Sequence, residues 1–420
     1  MVITIIGLFF GDEGKGHTTA YLTEKYNVTA SIRFSGGSQA AHRVVKKGIP
    51  HIFAQFGSGN SVSKVTTFLT DQMVIDPFAL LEEAFIHRKR GLGNLLERLF
   101  IDDNCTVVHA YNKSLNRAEE LNREIMGQER RSTTGMGVGQ TFQDLRINKT
   151  TLKVKDLLNE QKISEKLMFI LNEKTRQFLQ LDTKVWSEFS NGLDVSLKEY
   201  IKRLRELGKI LGKNYSCILP HEIFNEKLLT AMRTENVIFE GSQGTLLDRR
   251  FGKNPYITNS NVSLRSAERK IDELGYKGKC FNIGVMRGYI TRHGLGPLPT
   301  ETEEIALQID HNCYNNWQGH FRRGWLDLPL LDYSIRCNNH SKQKHHHLDG
   351  IILTNMDNVP PDGFYRPITK NEMDLWDFDS FYCCKRANIE ELIENTTKLP
   401  ILAESWGEEN CWLQKKKLEK

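Results

Sequence analysis

Val2-Ile3-Thr4-Ile5-Ile6 runs directly into a glycine-rich stretch that ends in Gly11-Asp12-Glu13-Gly14-Lys15-Gly16. The first run is short, apolar and β-branched, the pattern of a buried strand. The second brackets a lysine with glycines. Backbone N–H groups can there approach phosphate oxygens closely, the Lys15 ammonium adds charge, and the N-terminus of a following helix adds its dipole. A helical stretch over residues 17–25 is expected next, then a strand over residues 29–34 that ends at Gly36-Gly37. Strand, glycine loop, helix and strand open an α/β sheet.

The loop is not a Walker A loop, because Phe9 and Gly16 stand where that motif requires Gly and Ser/Thr. An acidic residue in a phosphate loop is unexpected unless it holds a cation or handles a proton; solvated charges on a glycine turn are the plainer alternative. A second cluster, Phe34-Ser35-Gly36-Gly37-Ser38-Gln39-Ala40-Ala41-His42, follows the second strand, and α/β sheets place ligands at strand C-termini. His42 could face the first loop from there, although a lone histidine is more often a structural hydrogen-bonder.

Further along, Asp76 before Pro77 starts a helix over residues 76–90, and residues 114–126 are helix-like. Gly135, Gly137 and Gly139 mark a loop. Residues 151–211 read as mostly helical; Ser196 and Glu199 form a capping box, with Leu197, Tyr200, Ile201, Leu204 and Leu211 on one apolar face. Val237-Ile238-Phe239 is a strand running into a glycine loop at residues 241–244, and residues 350–354 form a similar unit ending at Asn355. Residues 391–395 are a helix fragment, 400–402 a last strand, and 415–420 a solvated lysine-rich tail. His345-His346-His347 reads as an exposed loop, since three adjacent imidazoles rarely converge on a metal.

Bulk composition excludes little. The 420 residues, 39% apolar, suffice for a large core, and Lys+Arg 57 against Asp+Glu 52 leaves +5, too weak to demand nucleic acid. The eight cysteines form no C-x-x-C pair, which fits a reduced, intracellular setting. No apolar run approaches roughly 18 residues, so no membrane span is expected.

The hexapeptide, the Gly36–His42 segment, Ser132-Thr133-Thr134-Gly135-x-Gly137-x-Gly139, Phe239-Glu240-Gly241-Ser242-Gln243-Gly244-Thr245-Leu246-Leu247-Asp248, Pro255-Tyr256-x-Thr258-x-Ser260-Asn261, Thr291-Arg292-x-Gly294-x-Gly296-Pro297-x-Pro299-Thr300-Glu301 and Arg323-Gly324-Trp325-Leu326-Asp327 together resemble the motifs of the adenylosuccinate synthetase family, in that family's order. The resemblance implies a single α/β domain over residues 1–420, built around a mostly parallel sheet, with a helical insertion over 151–235 and a diverged C-terminal base-binding part over 350–420. It implies a ligase that joins L-aspartate to inosine monophosphate (IMP) through a 6-phosphoryl purine, using GTP and Mg²⁺. Asp12 would be the general base at purine N1 and a metal ligand; the Ala41 carbonyl would also contact Mg²⁺. Lys15 would neutralise charge during transfer, and His42 would stabilise the migrating phosphoryl group. Gly11, Glu13, Gly14, Gly16, Gln39 and Ala40 belong to the nucleotide-contacting loops, Thr134, Gln243 and Thr258 would hold the purine nucleotide, Arg322 would contact the triphosphate, and Asp357 would read guanine. A cytoplasmic homodimer acting on neither nucleic acid nor membrane is implied, although the family's cross-subunit arginine is not cleanly matched at residues 144–149.

The departures lie in the amino-acid and base pockets. His320 replaces an arginine that would grip a carboxylate, Asn355 replaces a lysine, and Ser405-Trp406-Gly407-Glu408-Glu409 stands where Gly-Pro-Asp-Arg is usual; His320, Asn355, Ser405 and Gly407 remain candidate substrate- or nucleotide-binding positions. Two other readings follow. One is a variant-substrate relative, similar to the viral 2-aminoadenylosuccinate synthetases that use dGMP and ATP; those alter the carboxylate that Asp12 matches, and Asp12 is retained. The other is a catalytically silent purine-nucleotide-binding protein.

Overall fold

The computed structural model describes residues 1–147, 149–186, 196–305, 314–339, 346–359, 364–368, 375–376, 384–385, 388–407, 409 and 411–418. At its centre is a ten-stranded sheet. In chain order its strands are β1 Val2–Gly7, β2 Ala30–Arg33, β3 Thr66–Leu69, β4 Leu99–Asp102, β5 Ile218–Leu219, β6 Val237–Gly244, β7 Cys280–Arg287, β8 Gly350–Thr354, β9 Ile401–Ser405 and β10 Trp412–Gln414. Across the sheet they lie in the order β10-β9-β8-β7-β1-β6-β2-β3-β4-β5, and every pairing but β9–β10 is parallel.

The chain begins at the centre, steps outward through β2 to β5, returns to insert β6 between β1 and β2, and then fills the other side from β7 onward. β1 therefore marks the point where strand order reverses. In open α/β sheets the crevice beyond the strands' C-terminal ends at such a point is where ligands bind. Every residue of β1 and β7 is buried, as strands covered on both faces require. Burying each Ile of β1 contributes on the order of 1.5–3 kcal/mol, an upper estimate because an unfolded chain already hides some apolar surface.

The helices are α1 Lys15–Lys25, α2 Pro77–Lys89, α3 Ala110–Ile125, α4 Val138–Arg146, α5 Glu160–Phe178, α6 Leu197–Gly208, α7 His221–Thr234, α8 Leu264–Glu273, α9 Leu328–Asn338 and α10 Ile389–Thr397. Their caps follow the sequence. Asp76 accepts from the Ala79 N–H ahead of α2, and Ser196 accepts from Glu199 N–H ahead of α6. Tyr200 and Leu204 of α6 and Leu211 beyond it pack with Ile163 and Leu167 of α5 and with Leu69 and Ile101 of β3 and β4 in a second apolar core. The helical stretch is thus anchored on the outer strands. No helix among the described residues is long and apolar enough to cross a membrane.

Four expectations are corrected. Gly139 lies inside α4, because Gly135 and Gly137, both in the left-handed region, make the turn and Gly137 stands at the helix N-cap. Residues 241–244 continue β6 rather than forming a loop, since Gly244 still pairs with Gly7. A further strand, β10, follows β9; residues 415–417 beyond it are exposed, as expected, with Lys415 donating its backbone N–H to Leu402 and pairing with Glu390 at 3.1 Å. Finally, His346 is buried, 3.3 Å from Asp272, because the chain dips onto α8 before β8. His345 and residues 419–420 lie outside the described residues.

Candidate active site

The two acids of the hexapeptide point in opposite directions. Glu13 is turned inward: Oε1 accepts the Phe9 N–H, and Oε2 lies 3.2 Å from Lys15 Nζ. A Cβ on Gly7 would come within 1.8 Å of that Oε2, so only glycine leaves room for the inward carboxylate. Burial pushes the Glu13 carboxyl up and Lys15 opposes the shift. Asp12 is exposed instead. Its backbone is left-handed at φ 56°, its carbonyl accepts from Arg287 Nε at 2.6 Å, and its Oδ2 is 3.9 Å from His293 Nε2. Gly14, also left-handed, caps α1, and a side chain there would meet Thr354 at 3.1 Å.

His42 begins a hairpin, His42–Lys46 with Ile49–Phe53, that folds over the first turn of α1. Its Nδ1 is 2.6 Å from Glu240 Oε1, and both residues are buried. Burial, then the nearby Arg33 guanidinium, pulls the His42 imidazole down to about 4, outweighing Glu240. Burial alone would raise the Glu240 carboxyl, but the His42 hydrogen bond and the Arg33 charge together hold it well below the usual carboxylate range. The pair is therefore a neutral imidazole donating Nδ1–H to an ionised carboxylate. His42 Nε2 is buried with no hydrogen-bond partner among the described residues.

These groups line a cavity of about 350 Å³ beyond the C-terminal ends of the central strands, within the size range of small-ligand sites. The loop after β1 supplies Gly11, Asp12, Glu13, Gly14, Lys15 and Gly16; the segment after β2 supplies Gln39, Ala40, Ala41 and His42. β6 contributes Gln243, β7 and its continuation Arg287, Tyr289 and His293, β8 leads to Asn355 and Asn358, and β9 leads to Ser405 and Gly407. Thr134 and Gln318 close the wall. Gln39 Nε2 and Oε1 and Gln243 Oε1 are buried without partners among the described residues. Unpaired buried polar atoms cost about 1–3 kcal/mol each, a penalty a bound polar ligand removes.

Other candidates lie outside that lining. Asp357 Oδ1 accepts the Gly407 N–H at 2.9 Å, so the segments after β8 and β9 are linked at the rim. Thr258 bonds to Ser260 Oγ at 2.9 Å. The Arg322 guanidinium is held by Glu301 and by the carbonyls of Gly294 and Gly296 at 2.9 and 2.8 Å. His320 is exposed, with its ring 4.9 Å from that of Tyr314; Gln318 is the neighbour that reaches the cavity.

Sequence reasoning missed Arg287, Tyr289, His293 and Gln318, and assigned no role to Glu240. Position carries the signal for Arg287, the last residue of a strand next to β1. Glu240 stood inside a quoted motif, directly after the strand-like run Val237-Ile238-Phe239.

The donor set also fits a hard cation. Asp12 and Ala41 share the cavity wall. Among the described residues no group of three or more His, Cys, Asp or Glu could hold a metal by itself. One carboxylate and a carbonyl, completed by phosphate oxygens and water, is how Mg²⁺ is usually bound.

Comparison with known proteins agrees with this geometry. The family model for adenylosuccinate synthetase matches residues 4–373. The adenylosuccinate synthetase of Francisella tularensis is 32% identical over 359 residues, 84% of this chain and 77% of that one. Among solved structures, fully ligated adenylosuccinate synthetase from Plasmodium falciparum superposes with a TM-score of 0.75 at 21% identity, over 99% of this chain and 100% of that one. The cyanophage S-2L succinoaminodeoxyadenylate synthetase, bound to dGMP and to dATP as an energy donor, gives 0.62 at 16% identity, over 98% and 95%.

Proposed function

The chain belongs to the adenylosuccinate synthetase family, ligases that form a C–N bond at the expense of a nucleoside triphosphate, and on that premise we propose that it joins L-aspartate to IMP with GTP as phosphoryl donor. The observation that carries this reading is the meeting of Asp12, Lys15 and His42 on one cavity wall at the reversal of the sheet.

The neutral hypoxanthine O6 is a poor nucleophile. Asp12, exposed to the cavity and fixed through its backbone by Arg287, takes the N1 proton, and the charge gathers on O6. O6 attacks the γ-phosphorus; the bond to the β–γ bridging oxygen breaks and the diphosphate leaves. Lys15 and the N–H groups of the loop offset the charge on the transferring group, as positioning and electrostatics dominate phosphoryl transfer. His42 presents Nε2 to that group. The amine of aspartate then adds at C6 and inorganic phosphate departs with the former O6. Asp12 and the Ala41 carbonyl would hold Mg²⁺, which would supply charge neutralisation when bound. Gln39, Gln243, Thr134 and Thr258 hold the monophosphate, and Asp357 accepts from guanine N1–H and the 2-amino group.

The test is a substrate matrix: IMP, dIMP, GMP and dGMP, each with GTP and with ATP, with and without aspartate. The reading expects turnover with IMP, GTP and aspartate together. Turnover confined to dGMP with ATP would replace it with the variant-substrate reading, and none in any cell would favour a silent nucleotide-binding protein.

A further inference from the structure

We propose that Glu240 is the positioning residue for His42, fixing its ring and its tautomer so that Nε2 is always the nitrogen presented to the transferring phosphoryl group; this rests on the ligase reading above.

The argument begins with the carboxylate. Glu240 lies on β6, fully buried. Its Oε2 accepts the Ser58 N–H at 2.9 Å and the Ser31 hydroxyl at 3.2 Å, and its Oε1 accepts from the Ser58 hydroxyl. Its backbone is clamped between β1 and β2 in the middle of the sheet. Among the described residues, the remaining side-chain bond of this carboxylate is to His42 Nδ1, at 2.6 Å.

That bond settles which nitrogen carries the proton. An ionised carboxylate can only accept, so Nδ1 must donate; Nε2 is then the nitrogen that faces the cavity, and with a proton of its own in the loaded site it donates to the phosphoryl oxygens while Glu240 balances the charge on the ring. Charge neighbours act the same way. Arg33, from β2, donates to the Phe56 carbonyl at 3.0 Å and to Ser242 Oγ at 3.1 Å, which keeps a guanidinium beside Glu240 and favours its ionised form. Lys15, on α1, adds a second positive charge near the ring. Glu240, Arg33 and Lys15 are thus the charged groups that face the ring.

The packing prevents rearrangement. A Cβ on Gly16 would come within 2.7 Å of His42 Cβ, so the first turn of α1 abuts the histidine. Nε2 is the atom left over, buried, on a residue of the cavity wall, and unpartnered among the described residues. His51 and His87 also leave a buried ring nitrogen unpaired among the described residues, but of these three histidines His42 alone lines the cavity, where a ligand can satisfy it.

Glu240→Gln tests the idea. The amide keeps the shape but can either accept from Nδ1 or donate to it, so the ring is no longer confined to one tautomer. Two readouts apply. The first is nitrogen-15 NMR of the histidine side chains in the ligand-free protein, with His42 assigned by its loss in His42→Asn. Wild type should carry the His42 proton on Nδ1, and Glu240→Gln should shift the population towards Nε2. The second is steady-state kinetics with the best substrate pair: kcat should fall about tenfold or more while both nucleotide KM values stay within about threefold. A wild-type His42 protonated on Nε2, or a Glu240→Gln enzyme with unchanged tautomer and kcat, overturns the proposal. The NMR readout needs no turnover, so a failed ligase reading is distinguished from a failed role for Glu240.

Discussion

Arg287 and Asp12 meet across 275 residues of sequence: the guanidinium Nε donates to the Asp12 carbonyl at 2.6 Å, while Arg287 Nη1 bonds to Tyr289 Oη at 2.8 Å. Asp12 occupies left-handed backbone, which a non-glycine residue adopts only when its surroundings impose it. The arginine supplies that constraint from the neighbouring strand. Arg287→Ala should therefore lower kcat by about 10- to 100-fold, the scale of a charge-assisted hydrogen bond of roughly 1.5–3 kcal/mol. Steady-state rates at saturating substrates check this; a kcat within twofold of wild type would detach Arg287 from the base.

Asp357 is already engaged by the Gly407 N–H through Oδ1, which orients the carboxylate before any base arrives. GTP should be preferred over ATP in kcat/KM, because adenine offers no N1–H and leaves the carboxylate unpaired. Asp357→Asn should shrink that preference about tenfold or more. Equal kcat/KM for the two triphosphates in wild type would show that Asn355 and Trp406 have rebuilt the base pocket.

His320 faces solvent beside Tyr314, while Gln318 lines the cavity. The aspartate KM should accordingly be flat through the imidazole range, from about pH 5.5 to 8.5, and unchanged in His320→Ala. Gln318→Ala should raise it about tenfold, the cost of one hydrogen bond to a charged group. A KM that rises with pH in wild type and flattens in His320→Ala would place the imidazole on the substrate.

Away from the site, burial and then the charge of Asp272 raise the Glu268 carboxyl to about 8. A raised carboxyl stabilises the fold below its ordinary pKa, and that stability is lost as pH climbs through the folded value. Glu268→Gln carries no such charge. Its thermal midpoint minus that of wild type should widen from about pH 4.5, where the free side chain begins to ionise, to about pH 8, then level off. A constant difference across that window would contradict the assignment.

How much of this was legible in the sequence follows from range. β1, the hexapeptide and α1 are contiguous, and their pattern is local, so they read correctly. β3 and β4 are four residues each, too short for a period to show. β7 is fully buried yet contains Asn282, Gly284 and Arg287, so its composition does not read as a core strand; Asn282 donates to the His347 carbonyl and thereby keeps its polar group inside. The loop residues of the site were readable because their chemistry lies in the motif. Arg287 and His293 were not, since they reach the cavity only because β7 pairs with β1, and no local pattern encodes that pairing.

The central claim is that O6 of the purine becomes the phosphoryl acceptor and Asp12 makes it one. IMP labelled with oxygen-18 at position 6, incubated with Mg²⁺, GTP and aspartate, tests it most directly by mass spectrometry of the released phosphate. Each phosphate formed by wild type should carry the label, and Asp12→Asn should release labelled phosphate about 10²-fold more slowly, the usual scale for loss of a general base. Unlabelled phosphate from wild type, or an Asp12→Asn enzyme that keeps more than a tenth of the rate, would contradict the account.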